Sequence, residues 1–148
     1  MSLKSRIQDD VKSAMRARER EQLAALRLVT AAIKQIEIDE RIELNDAQVL
    51  AVLDKMVKQR RESLEQFEKA EREDLAEKER FELSLIQGYL PEPLAEAELT
   101  SLIQSTITEV GADSIRDMGS VMNALRPQVQ GRADMKAVSQ AVKTQLTS

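Results

Sequence analysis

Residues 89–94 read YLPEPL, and two prolines one residue apart decide how the rest of the chain divides. Proline has no amide N–H and its ring clashes with the preceding turn, so no helix runs through Pro91 and Pro93, and the residues before them are driven to extended backbone. On both sides the apolar residues recur at helical spacing, and no stretch alternates as a strand would. The sequence therefore predicts an all-α protein in two parts. An N-terminal helical domain of about four helices occupies residues 1–91, and a small C-terminal three-helix domain occupies residues 92–148.

Before the prolines, Leu3, Ile7, Val11, Ala14 and Met15 form one stripe on a first helix that Ser2 can cap. A second helix over residues 20–39 is more broadly apolar (LAALRLVTAAI), as expected of one packed on two sides. RIELN reads as a loop, and Asn45 with Gln48 three residues on is the pattern of a capping box. The third helix it opens points Val49, Leu53, Met56, Val57, Leu64 and Phe67 inward, with Lys58 and Glu62, Arg61 and Glu65, and Glu65 and Lys69 as neighbours outside. A fourth, over residues 74–87, carries Leu75, Phe81, Leu83, Leu85 and Ile86, with Gly88 suited to its C-cap.

After the prolines, a fifth helix over residues 95–110 presents Leu99, Leu102, Ile103, Thr106 and Ile107, with Gly111 just past its end. The following run DMGSVMNALRPQVQGRAD, residues 117–134, holds three of the seven Gly and Pro residues of the chain. Ser114 and Asp117 suit a capping pair for a sixth helix bearing Met118, Val121, Met122 and Leu125, which Pro127 and Gly131 bring to a close. Asp134 caps a seventh, with Val138, Ala141, Val142 and Leu146 on one face. Gly119 falls inside the first turns of the sixth helix, where glycine costs about 1 kcal/mol relative to alanine. That cost points to close approach by a neighbouring helix or by a ligand such as a phosphate.

Composition removes whole classes of chemistry. The 148 residues contain no Cys and no His, so disulfides, the usual zinc sites, Ser-His and Cys-His nucleophiles and imidazole bases are excluded. No catalytic residue, metal ligand or cofactor is expected. Glu37, Asp39, Glu40 and Glu43 are numerous enough for Mg²⁺ or acid-base work, but they lie among Arg and Lys and read as solvated surface. Phe67, Phe81 and Tyr89 are the only aromatics, so the core must be aliphatic, and Met118, Met122 and Met135 read as core rather than a peptide groove. The start of the chain is charged from Lys4 onward and no apolar run approaches a membrane span, giving a cytoplasmic location and no membrane partner as expectations.

Charge is uneven. The net charge is −4, yet residues 116–148 set Arg116, Arg126, Arg132, Lys136 and Lys143 against Asp117 and Asp134 only. Several of these cations lie beside helix ends, and the free N–H groups at the start of the seventh helix would add to their field. Arg20, Arg27, Lys34 and Arg41 recur every seven residues and form a second basic ridge, and KQRRE, residues 58–62, is a third basic stretch; both read more readily as the wet side of a helix.

DMGSVMNALRPQVQGRADMKAVSQAVKTQL closely resembles the C-terminal motif of the YqeY family, found also as the tail of the B subunit of the glutamine-dependent aspartyl/glutamyl-tRNA amidotransferase. LRLVTAAIKQIEID, KMVKQRRESLEQFEKAEREDLAEKERFEL and GYLPEPL resemble the free-standing members, so the likeness covers essentially the whole chain. It implies a helical domain followed by a three-helix tail, and in the amidotransferase subunit and some glutaminyl-tRNA synthetases such tails bind tRNA. The implied function is a non-catalytic tRNA-associated module that contacts RNA through Arg116, Gly119, Arg126, Arg132, Lys136 and Lys143. Many relatives carry Lys where this chain has Ser120, Asn123 and Gln128. The implied partners are tRNA and an aminoacyl-tRNA synthetase or amidotransferase subunit. The alternatives are a protein-interaction adaptor without RNA contact and, below it, an accessory to carbon–nitrogen ligation with glutamine as amide donor.

Overall fold

The computed structural model describes residues 2–147. Seven α-helices follow in order among these residues: α1 (Leu3–Ala17), α2 (Arg20–Glu40), α3 (Asp46–Lys69), α4 (Glu73–Gln87), α5 (Glu96–Val110), α6 (Met118–Val129) and α7 (Met135–Thr147). A 3₁₀ turn over Ile115–Asp117 leads into α6, and no strand occurs among the described residues. The chain separates into two compact units, the first ending at Leu90 and the second beginning at Pro91.

Side-chain caps start α1 and α3, whereas α2 and α4 begin without one. Ser2 Oγ accepts the Ser5 N–H at 3.1 Å, while Asp46 Oδ1 accepts the Leu3 N–H at 2.9 Å and ties the start of α1 to the start of α3. Asn45 and Gln48 form a reciprocal capping box, each side chain accepting the other's N–H at 2.9 Å. Glycine stops none of these three helices. Arg18 and Arg41, the C-caps of α1 and α2, and Glu71, just after α3, take left-handed backbone with φ of 57°, 56° and 56°. Such a conformation costs a residue with a Cβ about 1–2 kcal/mol.

The core of the first unit is aliphatic. Ile7 and Ala14 of α1, Leu26, Val29 and Ile33 of α2, Val49, Leu53 and Val57 of α3 and Ile86 of α4 are buried together. Tyr89 closes this core: its hydroxyl donates to the Asp10 carboxylate and the Arg6 guanidinium lies 5.0 Å from the ring centroid. Burial, then the Asp10 contact, pushes the Tyr89 hydroxyl well above its ordinary pKa. Between α3 and α4 lies a nearly buried ion pair, Arg60 Nε to Glu82 Oε2 at 3.3 Å. It is an ionic approach without hydrogen-bond alignment, since the Arg60 Nε–H finds no acceptor among the described residues.

Helical phase corrects several expectations here. Phe81 is 39% exposed and Glu82 is buried, because Phe81 lies about 140° around α4 from Ile86 whereas Glu82 lies about 40° from it. Met15 is likewise exposed, at the edge of the α1 stripe. Leu64 and Phe67 are half-buried. Although α2 packs on α1, α3 and α4, Leu28 and Ile38 remain 46% and 60% exposed on its outer side. Gly88 caps α4 in right-handed conformation, φ −62°, so no left-handed turn requires glycine there.

The second unit buries Ile103 of α5, Val121, Leu125 and Val129 of α6, and Val138 and Val142 of α7, with Met118, Met122 and Met135 packed around them. Glu98 Oε1 accepts the Ala95 N–H at 3.4 Å to start α5, which ends on Gly111 in left-handed conformation. Ser114 and Asp117 do not form a capping pair. Asp117 Oδ2 instead accepts the Asp113 N–H at 3.0 Å, reaching backwards. Nor does Pro127 end α6, which continues to Val129 with the Gln130 N–H on the Arg126 carbonyl at 3.0 Å. The group that loses its donor is the Asn123 carbonyl, on an exposed side of the helix open to solvent. The turn comes at Gly131, φ 75°, where the Arg132 and Ala133 N–H groups both bond the Val129 carbonyl.

Gly119 is not pressed by a neighbouring helix, since a Cβ built there meets nothing within 4 Å. Gly119→Ala is therefore expected to raise the unfolding free energy by about 0.5–1 kcal/mol, while Gly111→Ala, at φ +69°, lowers it by about 1–2 kcal/mol, both read by chemical denaturation. Leu53→Ala and Leu125→Ala, each removing a fully buried side chain from a different core, should each cost about 2–5 kcal/mol.

Candidate nucleic-acid interface

Five cations, Arg116, Arg126, Arg132, Lys136 and Lys143, are all those of the second unit. Its acids are segregated: Glu92, Glu96, Glu98, Glu109 and Asp113 precede the 3₁₀ turn, and only Asp117 and Asp134 share the stretch that holds the cations. The Asp113 N–H, the first of several contacts, holds the Asp117 carboxyl below the usual carboxylate range. Every ion pair among the described residues lies in the first unit. The cations of the second unit thus have no carboxylate partner among the described residues, and all but Arg132 are exposed.

Burying Val121, Leu125 and Val129 turns Gly119, Ser120, Asn123, Arg126 and Pro127 of α6 outward. Burying Val138 and Val142 likewise exposes Lys136, Gln140 and Lys143 of α7. Lys136 and Lys143 are seven residues apart, so they share a face to within about 20° and stand about 10 Å apart along the axis. The α6–α7 turn brings Arg126, Arg132 and Lys136 to one end of the helix pair. Arg116 precedes the other end of α6, and Lys143 lies two turns along α7, so the cations form a spread face rather than a cluster.

Two details change the roles expected of these residues. Arg132 is half-buried and its Nε donates to the Glu92 carbonyl at 2.9 Å, while its own carbonyl accepts the Leu94 N–H at 2.9 Å. It fastens the proline segment at Glu92 and Leu94 to the α6–α7 turn and lines a groove of about 730 Å³ with Leu94, Glu98, Ser101, Ser105 and Gln128. At the start of α7, Asp134 Oδ1 accepts the Lys136 N–H at 3.4 Å, so a carboxylate already occupies the positive helix end that a phosphate would use. Sequence reasoning had no signal for the Arg132 tie, whose partners are 38 and 40 residues earlier and are backbone atoms.

A second basic surface belongs to the first unit. Arg27 and Lys34 line a groove of about 490 Å³ between α1 and α2 with Lys4, Gln8 and Glu37. Glu37 is less solvated than its place among charged neighbours suggests, its side chain being 16% exposed. It accepts from Lys4 Nζ at 2.7 Å and from the Leu44 N–H at 2.9 Å, and those two contacts hold its carboxyl below the ordinary value. Asp39 accepts from Gln35 at 2.9 Å, and Glu43 is almost fully exposed. These contacts make Glu37 a structural joint between α1, α2 and the loop before α3.

A family model described as Yqey-like protein matches residues 4–146. The chain belongs to this family. Among similar proteins, "Altered inheritance of mitochondria protein 41, mitochondrial" of Pyrenophora tritici-repentis is 31% identical over 141 residues, covering 93% of this chain and 77% of that protein. The protein of the same name in Eremothecium gossypii is 40% identical over 94 residues, covering 62% of this chain and 51% of that protein. "Uncharacterized protein C22F3.15" of Schizosaccharomyces pombe is 33% identical over 91 residues, covering 62% and 74%. No helix among the described residues of this YqeY-like chain is long and apolar enough to cross a membrane.

Because the folded state disfavours protonation of Glu37, its contribution to stability is complete above the ordinary carboxylate value of 4.5 and is lost as pH falls through its lowered folded value. Glu37→Gln is expected to lower the melting temperature at neutral pH and to narrow the difference between neutral and acidic pH, measured by thermal unfolding across that range.

Proposed function

We propose that this YqeY-like chain is a non-catalytic, tRNA-associated helical module of the cytoplasm. Its second unit lies on RNA backbone through Arg116, Arg126, Lys136 and Lys143, with Gly119 leaving room for a sugar or phosphate. The observation that carries the reading is the exposed α6–α7 face, where these cations stand without carboxylate partners among the described residues, whose ion pairs gather in the first unit. With no aromatic residue in that unit, recognition is by phosphate and shape rather than by base stacking. Arg132 acts at one remove, holding the turn between Arg126 and Lys136 in place. With neither His nor Cys, the sequence offers no thiol or imidazole-activated nucleophile for amide transfer, and a tRNA-modifying or tRNA-charging enzyme would supply any chemistry.

With three to five phosphate contacts, the logarithm of tRNA affinity should fall with the logarithm of salt at a slope of roughly −2 to −4.5. Reversing Arg126, Lys136 and Lys143 to Glu is expected to abolish most binding and flatten the slope, while reversing Arg20, Arg27 and Lys34 leaves both nearly unchanged. Gly119→Ala should weaken tRNA binding while stabilising the fold. Equal losses from both triple reversals, or no binding at low salt, would refute the proposal.

A further inference from the structure

The outer side of α2 carries a pattern that the first unit does not use. Ala24, Leu28, Ala31, Gln35 and Ile38 are all exposed, and their spacing of four, three, four and three residues is that of a helix seam rather than of an irregular surface. Leu28 and Ile38 are 46% and 60% exposed. Along one edge run Arg20, Arg27 and Lys34, seven residues apart, continued by Arg41 at the C-cap. None of these four makes an ion pair among the described residues. The nearest acid in the α1–α2 groove, Glu37, is already held by Lys4 and the Leu44 N–H.

We propose that this face docks one amphipathic helix of a partner protein, with an apolar seam and an acidic flank. The seam alternates small and large residues, so Ala24 and Ala31 admit the partner's apolar side chains between Leu28 and Ile38 and let two helix axes approach to about 8–10 Å. The basic ridge selects the flank. In a seam of this kind the flanking positions set partner choice, and four unanswered cations on one edge reject a basic helix and accept an acidic one.

A second copy of the chain fits less well. Antiparallel pairing would set the basic ridge against itself, and parallel pairing would give Lys34 an acid, Asp39, while leaving Arg20 and Arg27 opposite Ala25 and Ala32. An anionic membrane is also a poorer occupant, because Gln35 interrupts the stripe and Glu21 and Asp39 stand on its far edge. The inference concerns the first unit and is independent of the tRNA reading of the second.

The test uses the full chain, isotopically labelled, and two synthetic helical peptides of about three heptads with Leu at the seam positions. One has Glu at the flanking positions and the other Lys. The Glu peptide is expected to shift the amides of residues 24–38 and to bind at least about tenfold more tightly than the Lys peptide. Leu28→Ser with Ile38→Ser should weaken it by about tenfold or more at an unchanged melting temperature, since both side chains are exposed in the folded chain. Arg27→Glu with Lys34→Glu should reverse the preference between the peptides. Equal binding of the two peptides, or shifts that map elsewhere, would overturn the proposal. So would self-association lost with the Leu28/Ile38 variant, or binding of that face to phosphatidylglycerol vesicles or RNA in place of the Glu peptide.

Discussion

Helix termination with almost no glycine is the constraint on which the first unit depends. Four glycines serve the whole chain, and none lies before Gly88. The first three helices therefore turn back on left-handed Arg18, Arg41 and Glu71, and each turn is closed by the N–H of the residue after it, Glu19 on the Ala14 carbonyl at 3.0 Å, Ile42 on the Glu37 carbonyl at 3.2 Å and Arg72 on the Phe67 carbonyl at 2.9 Å. Entry points are set with comparable economy: Asp46 begins α3 and at the same time receives the first N–H of α1, and Glu37 receives both Lys4 and the N–H that leads into α3. The largely aliphatic core and these few polar joints support one another, with Tyr89 the one aromatic buried among them.

The second unit solves the same problem with different means. Glycine takes both of its left-handed positions, Gly111 and Gly131, and its polar ties are to main-chain N–H and carbonyl groups rather than to opposite charges. That difference leaves its cations uncommitted. A unit in which Arg132 anchors through Nε and a main-chain carbonyl can keep its guanidinium charge while doing structural work.

What the sequence made legible follows from how local each signal was. The helices, the Ser2 cap and the Asn45–Gln48 box are visible because they involve residues within a few positions of one another. Phe81 and Glu82 defeated the reading because side-chain type argued one way and helical phase the other, and a distant partner, Arg60, decided for phase. Pro127 misled for a related reason: proline breaks helices strongly on average, yet here the carbonyl left over belongs to Asn123 on a wet face. Arg116, Arg126, Lys136 and Lys143 could be found as an excess of charge, but their separation along two helices could not, since it depends on the α6–α7 turn. The outer face of α2 was hidden by its own composition. A helix rich in Ala, Leu and Ile reads as packed on two sides, and only the packing shows which apolar stripe has no neighbour.

Tyr89 has a consequence of another kind. It is the one tyrosine of a chain without tryptophan, so the ultraviolet emission of the folded protein comes essentially from a single phenol. That phenol sits at the last turn before the prolines, hydrogen-bonded to Asp10 and covered by Arg6, both from α1. The molecule thus carries a built-in optical reporter at the place where its N-terminal helix meets the end of the first unit. Loosening of that junction can be followed by light, without a label and without disturbing either charged face.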